Sequence, residues 1–139
     1  MDKEQLVRDL IRDEGLKLEA YHDSKGHLTI GIGRLIDPGL GGRISKSEAM
    51  FMLTNDLEAI EKELDAKLDW WRELPDQVQR ALFNMTFNLG FPRLSGFKKM
   101  LAALRVEDFE EAANQALDSL WARQVGLRAR RIADMIRSA

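Results

Sequence analysis

Cysteine is absent from this 139-residue chain. That excludes a disulfide framework, a thiolate metal site and a cysteine nucleophile together. Histidine is scarce as well: His22 and His27 are the whole supply, and two imidazoles without a clear carboxylate partner do not make a metal site. No metal and no cofactor are therefore expected. No apolar run approaches the roughly 20 residues of a membrane span, so no stable membrane association is expected either. Charge of one sign is not in excess: 21 basic side chains face 23 acidic ones, net −2. This gives no general attraction to nucleic acid. Low-complexity tracts and internal repeats are missing, and Met1 to Gln5 lack the form of a secretory leader.

What remains is the composition of a globular protein, 45% hydrophobic and 32% charged, sized for one domain or two small lobes. Leu6, Leu10 and Ile11 recur at helical spacing over residues 3–14, and Gly15 supplies a stop. From residue 20 to 33 the period changes to two around Asp23-Ser24-Lys25-Gly26, the mark of a β-hairpin with a glycine-ended turn. Residues 37–42 read as a loop. Ser45-Lys46-Ser47-Glu48 has the capping-box form and opens a helix running to about residue 68. Pro75 and Gly90 bracket a further helix that is apolar on most sides, hence buried. Residues 91–96 read as a turn, and helices are expected near 96–104, 107–122 and 127–138. The fold class is α+β: a small β element near the N-terminus and a helical lobe after it.

Glu14 falls three and four residues after Ile11 and Leu10, so it projects from the apolar stripe of its own helix. It also occupies the last turn, at the negative end of the helix dipole. Burial and dipole both disfavour the charged carboxylate, which suits a general acid. A surface glutamate before a helix-ending glycine explains the same facts. Asp23 opens the turn, where aspartate bonds its own backbone two residues on. In the second strand Leu28, Ile30 and Ile32 are expected inward, with His27, Thr29, Gly31 and Gly33 on the opposite, open face, where a sugar ring could lie.

The strings Asp13-Glu14-Gly15-Leu16, Tyr21-His22-Asp23, Gly26 and Thr29-Ile30-Gly31-Ile32-Gly33 together resemble the active-site region of the T-even phage lysozymes. That family carries its catalytic Glu, Asp and Thr at an E-x8-D-x5-T spacing, and Glu14, Asp23 and Thr29 match it without gaps. The resemblance continues through Ile44 to Asp56, Arg80 to Gly90, Ser95-Gly96-Phe97, Glu111-Ala112-Ala113, Trp121 and Arg128 to Arg131. It implies one lysozyme domain over 1–139, with an N-terminal lobe at about 13–56, a helical lobe at about 1–12 and 70–139, a connecting helix at about 46–68 and an active-site cleft between the lobes. It further implies inverting hydrolysis of the bond between N-acetylmuramic acid and N-acetylglucosamine in peptidoglycan. Glu14 would protonate the glycosidic oxygen, Asp23 would stay ionised and Thr29 would help hold the attacking water. Gly33, Leu35, Phe87, Asn88 and Arg128 fall on its substrate-binding side. The chain is expected to be a monomer, held in the cytoplasm until a holin-type partner disrupts the membrane, and then active on peptidoglycan glycan strands.

Some positions leave two readings open. Asn84 and Asn88 lie one turn apart on the apolar helix, and each either satisfies the core or faces substrate; Asn84 is expected to be the structural one. Arg128 beside the acid would oppose the effects of burial and dipole. Trp121 is expected in the core, with at least one of Trp70 and Trp71. The sequence departs from the family prototype at Arg34, which stands in place of a histidine, and in a much shorter segment from Leu35 to Ile44. A wall-binding or phage structural relic and a lytic transglycosylase are the rival functions. Retention of Asp23 and Thr29 favours hydrolysis over both.

Overall fold

A computed structural model describes residues 1–37 and 42–139; most of the loop expected over 37–42 lies outside the described residues. The chain divides into two compact units, Met1–Met52 and Leu53–Ala139. Residues 1–12 fall in the first unit, whereas the sequence reading grouped them with the helical lobe.

The first unit opens with α1, Lys3–Glu14, capped by the Asp2 carboxylate on the Gln5 N–H and closed by Gly15 at φ 78°. Three antiparallel strands follow in the order β1 (Lys17–His22), β2 (Leu28–Gly31) and β3 (Arg34–Asp37). The sequence shows only the first two. β3 is too short for a period-two signal to emerge, and Gly31-Ile32-Gly33 is the turn that leads into it. Both glycines have positive φ, 72° and 66°, a conformation that costs glycine no steric clash. Strand alternation therefore stops at Gly31, and the expected open face made of two strand glycines does not exist.

Thr29, expected on the open face, is buried instead. It is 4% exposed, and Ile32, expected inward, is 40% exposed. The reason is topological: β2 is the middle strand, and Thr29 lies opposite Tyr21 of β1 and Leu35 of β3, so both neighbours cover it.

The helix α2 spans Lys46–Lys67, and the division between the units falls within it. Its start is the capping box read from sequence. The Glu48 N–H donates to Ser45 Oγ at 3.1 Å, and the Ser45 N–H donates back to Glu48 Oε1 at 3.3 Å.

In the second unit a 3-10 turn, Trp71–Glu73, precedes α3, Asp76–Leu89. Trp71 is buried and its indole N–H donates to Asp65 at 2.8 Å, while Arg72 forks onto the same carboxylate and reaches Glu61. Residues 91–96 are not merely a turn: they contain a helical turn, α4 (Phe91–Leu94). After α5 (Lys98–Arg105) the expected helix at 107–122 is two helices, α6 (Phe109–Leu117) and α7 (Leu120–Val125). Ser119 causes the break, because its hydroxyl caps the Ala122 N–H at 3.0 Å. The last helix is α8, Leu127–Arg137. Ala112, Ala113 and Ala116 of α6 and Ala129 and Ala133 of α8 are all buried. Small side chains let these two packed helices approach closely. Val78, Leu82 and Met85 of α3 complete the core with Leu94, Leu104, Ile132 and Ile136.

Candidate active site

The N-terminal unit carries all three residues of the Glu, Asp, Thr set. Glu14 is the last residue of α1. Its side chain is exposed, so the burial expected from the apolar stripe is not found, while its position at the helix end is as expected. The carboxyl group lies against Gly33, so closely that a β-carbon on Gly33 would stand 2.7 Å from Glu14 Oε2.

Asp23 is fixed by the turn it opens. Its Oδ1 accepts from the His27 N–H at 2.8 Å and the Lys25 N–H at 2.9 Å, and the Gly26 N–H closes the turn on its carbonyl at 2.9 Å. These bonds favour the charged form. The His27 N–H, first, and then the Lys25 N–H outweigh desolvation and hold the carboxyl below the ordinary aspartate value. The His27 imidazole stands 3.9 Å from Oδ2, an attraction that operates when the ring is protonated. The turn-forming role of Asp23 and its persistence as an anion thus have one cause.

Thr29 donates its hydroxyl to the His27 carbonyl at 3.1 Å. A hydroxyl has one proton and two lone pairs, so towards any further partner Thr29 is an acceptor. Leu35 lies on β3 and is 39% exposed. Arg34, the departure from the prototype, forks onto Glu48 at 2.8 and 2.9 Å. The Ser45 hydroxyl, the Ser45 N–H and then Arg34 keep Glu48 below the ordinary glutamate value.

In the helical unit Phe87 and Asn88 are exposed on α3. Asn88 Oδ1 accepts the Trp121 indole N–H at 2.7 Å. Trp121 is 4% exposed and meets the Phe97 ring edge-on at 6.2 Å, a core residue as expected. Asn88 therefore presents its NH2 group outward with its oxygen already committed. Asn84 is a hydrogen-bonder, as expected: its Oδ1 takes Arg128 Nε at 2.9 Å and Nη2 at 2.8 Å. Among the described residues Arg128 has no carboxylate partner. A groove of about 690 Å³ in the same unit, bordered by Phe97, Lys98, Lys99, Leu120 and Trp121, was not foreseen. Its walls come from α3, α4, α5, α6 and α7, a convergence that has no signature in sequence spacing.

The family described as phage lysozyme matches residues 12–134, nearly the whole chain. The chain belongs to the phage lysozyme family. It is accordingly a glycoside hydrolase of the lysozyme type. Related sequences include a probable T4-type lysozyme 1 of Dictyostelium discoideum, 28% identical across 94% of this chain and 92% of that protein. The endolysin of Salmonella phage P22 is 28% identical across 83% of this chain and 79% of its own length. The pre-baseplate central spike protein Gp5 of Enterobacteria phage T4 is 32% identical across 91% of this chain, which spans only 26% of that longer protein. Among the described residues of this lysozyme-family chain, no helix is long and apolar enough to cross a membrane.

Proposed function

We propose that this chain hydrolyses the β-1,4 bond between N-acetylmuramic acid and N-acetylglucosamine of bacterial peptidoglycan, with inversion at the anomeric carbon. The observation that carries the reading is the division of labour between two carboxyl groups of one unit. Glu14 ends a helix with no hydrogen-bond donor committed to it among the described residues, whereas Asp23 is held as an anion by two backbone N–H groups. Carboxyl groups whose surroundings differ in this way divide into acid and charge stabiliser.

In this mechanism Glu14 gives its proton to the glycosidic oxygen as the bond breaks. Asp23 stays ionised and stabilises positive charge at the sugar. Thr29, its own proton engaged by the His27 carbonyl, accepts a hydrogen bond from water and orients it. As the water oxygen bonds to the anomeric carbon, its other proton passes to the Asp23 carboxylate, ionised until that step, while the leaving oxygen keeps the proton from Glu14. Gly33 and Leu35 would meet the glycan on one side. Phe87, the NH2 group of Asn88 and Arg128 would also contact the glycan. An inverting pair of carboxyl groups stands about 6.5–9.5 Å apart to admit that water.

The protein acts as a monomer on glycan strands, and a membrane-disrupting partner of the holin type releases it from the cytoplasm. The likeness to a baseplate spike protein supports a second reading, a lysozyme-like part of a phage structural assembly. Glu14→Gln tests the first. It removes the acid at nearly constant shape, and clearing of peptidoglycan suspensions should fall by at least about 100-fold, the scale of general acid catalysis, with sedimentation onto the wall retained. Equal clearing by the variant would overturn the assignment of Glu14. NMR of the first-formed product should show the α-anomer; the β-anomer would overturn inversion.

A further inference from the structure

The structure assigns Gly33 as a positioning residue for Glu14, one that holds the carboxyl by offering it the space a side chain would fill. The inference rests on Glu14 being the acid, and it concerns how that acid is placed. Gly15, Gly26, Gly31 and Gly33 of the N-terminal unit all have positive φ, from 66° to 81°. A β-carbon added to Gly15, Gly26 or Gly31 meets nothing within 4 Å. Added to Gly33, it would lie 2.7 Å from Glu14 Oε2, 3.0 Å from Cδ and 3.2 Å from Cβ. Backbone conformation explains the first three glycines completely. At Gly33 it explains only half, because the Glu14 side chain lies along the bare α-carbon over most of its length.

The platform is itself anchored. Ile30 pairs with Arg34 across the turn, and Arg34, next to Gly33, forks onto Glu48 at 2.8 and 2.9 Å. Glu48 belongs to the capping box that starts α2. A glutamate at an exposed helix end has three side-chain torsions to lose. Contact with a fixed backbone surface restricts them without committing the carboxyl to a hydrogen bond, so its oxygens stay free to meet the glycosidic oxygen.

Comparison of Gly33→Ala with Gly31→Ala tests this, since both carry the same left-handed strain and only the first collides with Glu14. The free protein is read by NMR, through the three-bond couplings that report Glu14 rotamers and through its carboxyl carbon shift. Turnover of soluble glycan fragments is measured alongside. Gly33→Ala should redistribute the Glu14 rotamers and lower kcat about 100-fold more than Gly31→Ala, the scale of a misplacement near 1 Å, with KM changed far less than kcat. Identical Glu14 signals and equal kcat in the two variants would overturn the inference. A changed Glu14 rotamer with undiminished turnover would support the placement and overturn the role of Glu14 as acid. If Gly33→Ala does not fold, Gly33→Asn and Gly31→Asn make the same comparison, because asparagine tolerates the left-handed region.

Discussion

Asp23 does two things with one carboxylate. It closes the turn between β1 and β2, and it remains charged because the His27 and Lys25 N–H groups point at it. Its folded pKa is lowered, whereas an unfolded aspartate titrates near 3.9. The stability that it contributes is therefore complete above that unfolded value and is lost as pH falls through the folded one. Asp23→Asn keeps an acceptor oxygen in the turn but not the charge. Thermal midpoints of the two proteins should differ most at neutral pH and converge as pH drops below about 4. A gap that stays constant down to pH 2.5 would show that the charge of Asp23 has no part in holding the turn. Glu48 and Asp65 are also held below their ordinary values, but both are present in wild type and variant, so the difference isolates Asp23.

At the scale of elements, boundaries follow from a few capping residues. Ser45 is the plainest: its hydroxyl takes the Glu48 N–H, and Ser45→Ala should cost about 1 kcal/mol, the usual value of an N-cap, measurable by urea denaturation. A loss below about 0.3 kcal/mol would mean that the remaining bonds of Glu48, to the Ser45 N–H and to Arg34, suffice to start α2. That cap was legible in the sequence, as were the stop at Gly15, the start after Pro75 and the stop at Gly90, because each is a local rule written in one or two residues. What was not legible depended on neighbours. β3 has four residues and exists by pairing with β2. The break between α6 and α7 follows from Ser119 acting as a cap inside a run whose apolar spacing continued across it. Thr29 faces inward because β2 is central, which a two-stranded hairpin would not have required. The site divides in the same way. Glu14, Asp23 and Thr29 could be named as candidates from spacing through the family resemblance, whereas the contact between Glu14 and Gly33 and the commitment of the Asn88 oxygen to Trp121 required coordinates.

For the molecule as a whole, family membership gives lysozyme-type glycoside hydrolysis, and the N-terminal unit carries the three residues proposed to perform it. The helical unit gives an exposed face on α3, with Phe87 and Asn88 outward and Val78, Leu82 and Met85 inward. This follows from helical periodicity acting on a helix whose inner face builds the core. The chain matches most of a probable lysozyme and of an endolysin but only 26% of a spike protein, so a free enzyme and a part of a phage assembly are the two readings to separate. Turnover decides between them for this chain. Purified protein should be incubated with peptidoglycan beside Glu14→Gln, and the released fragments identified by mass spectrometry. The account predicts hydrated, reducing disaccharide-peptides from the wild type and none from the variant. Fragments lighter by one water would instead make the chain a lytic transglycosylase, and an absence of fragments with binding retained would contradict catalysis altogether.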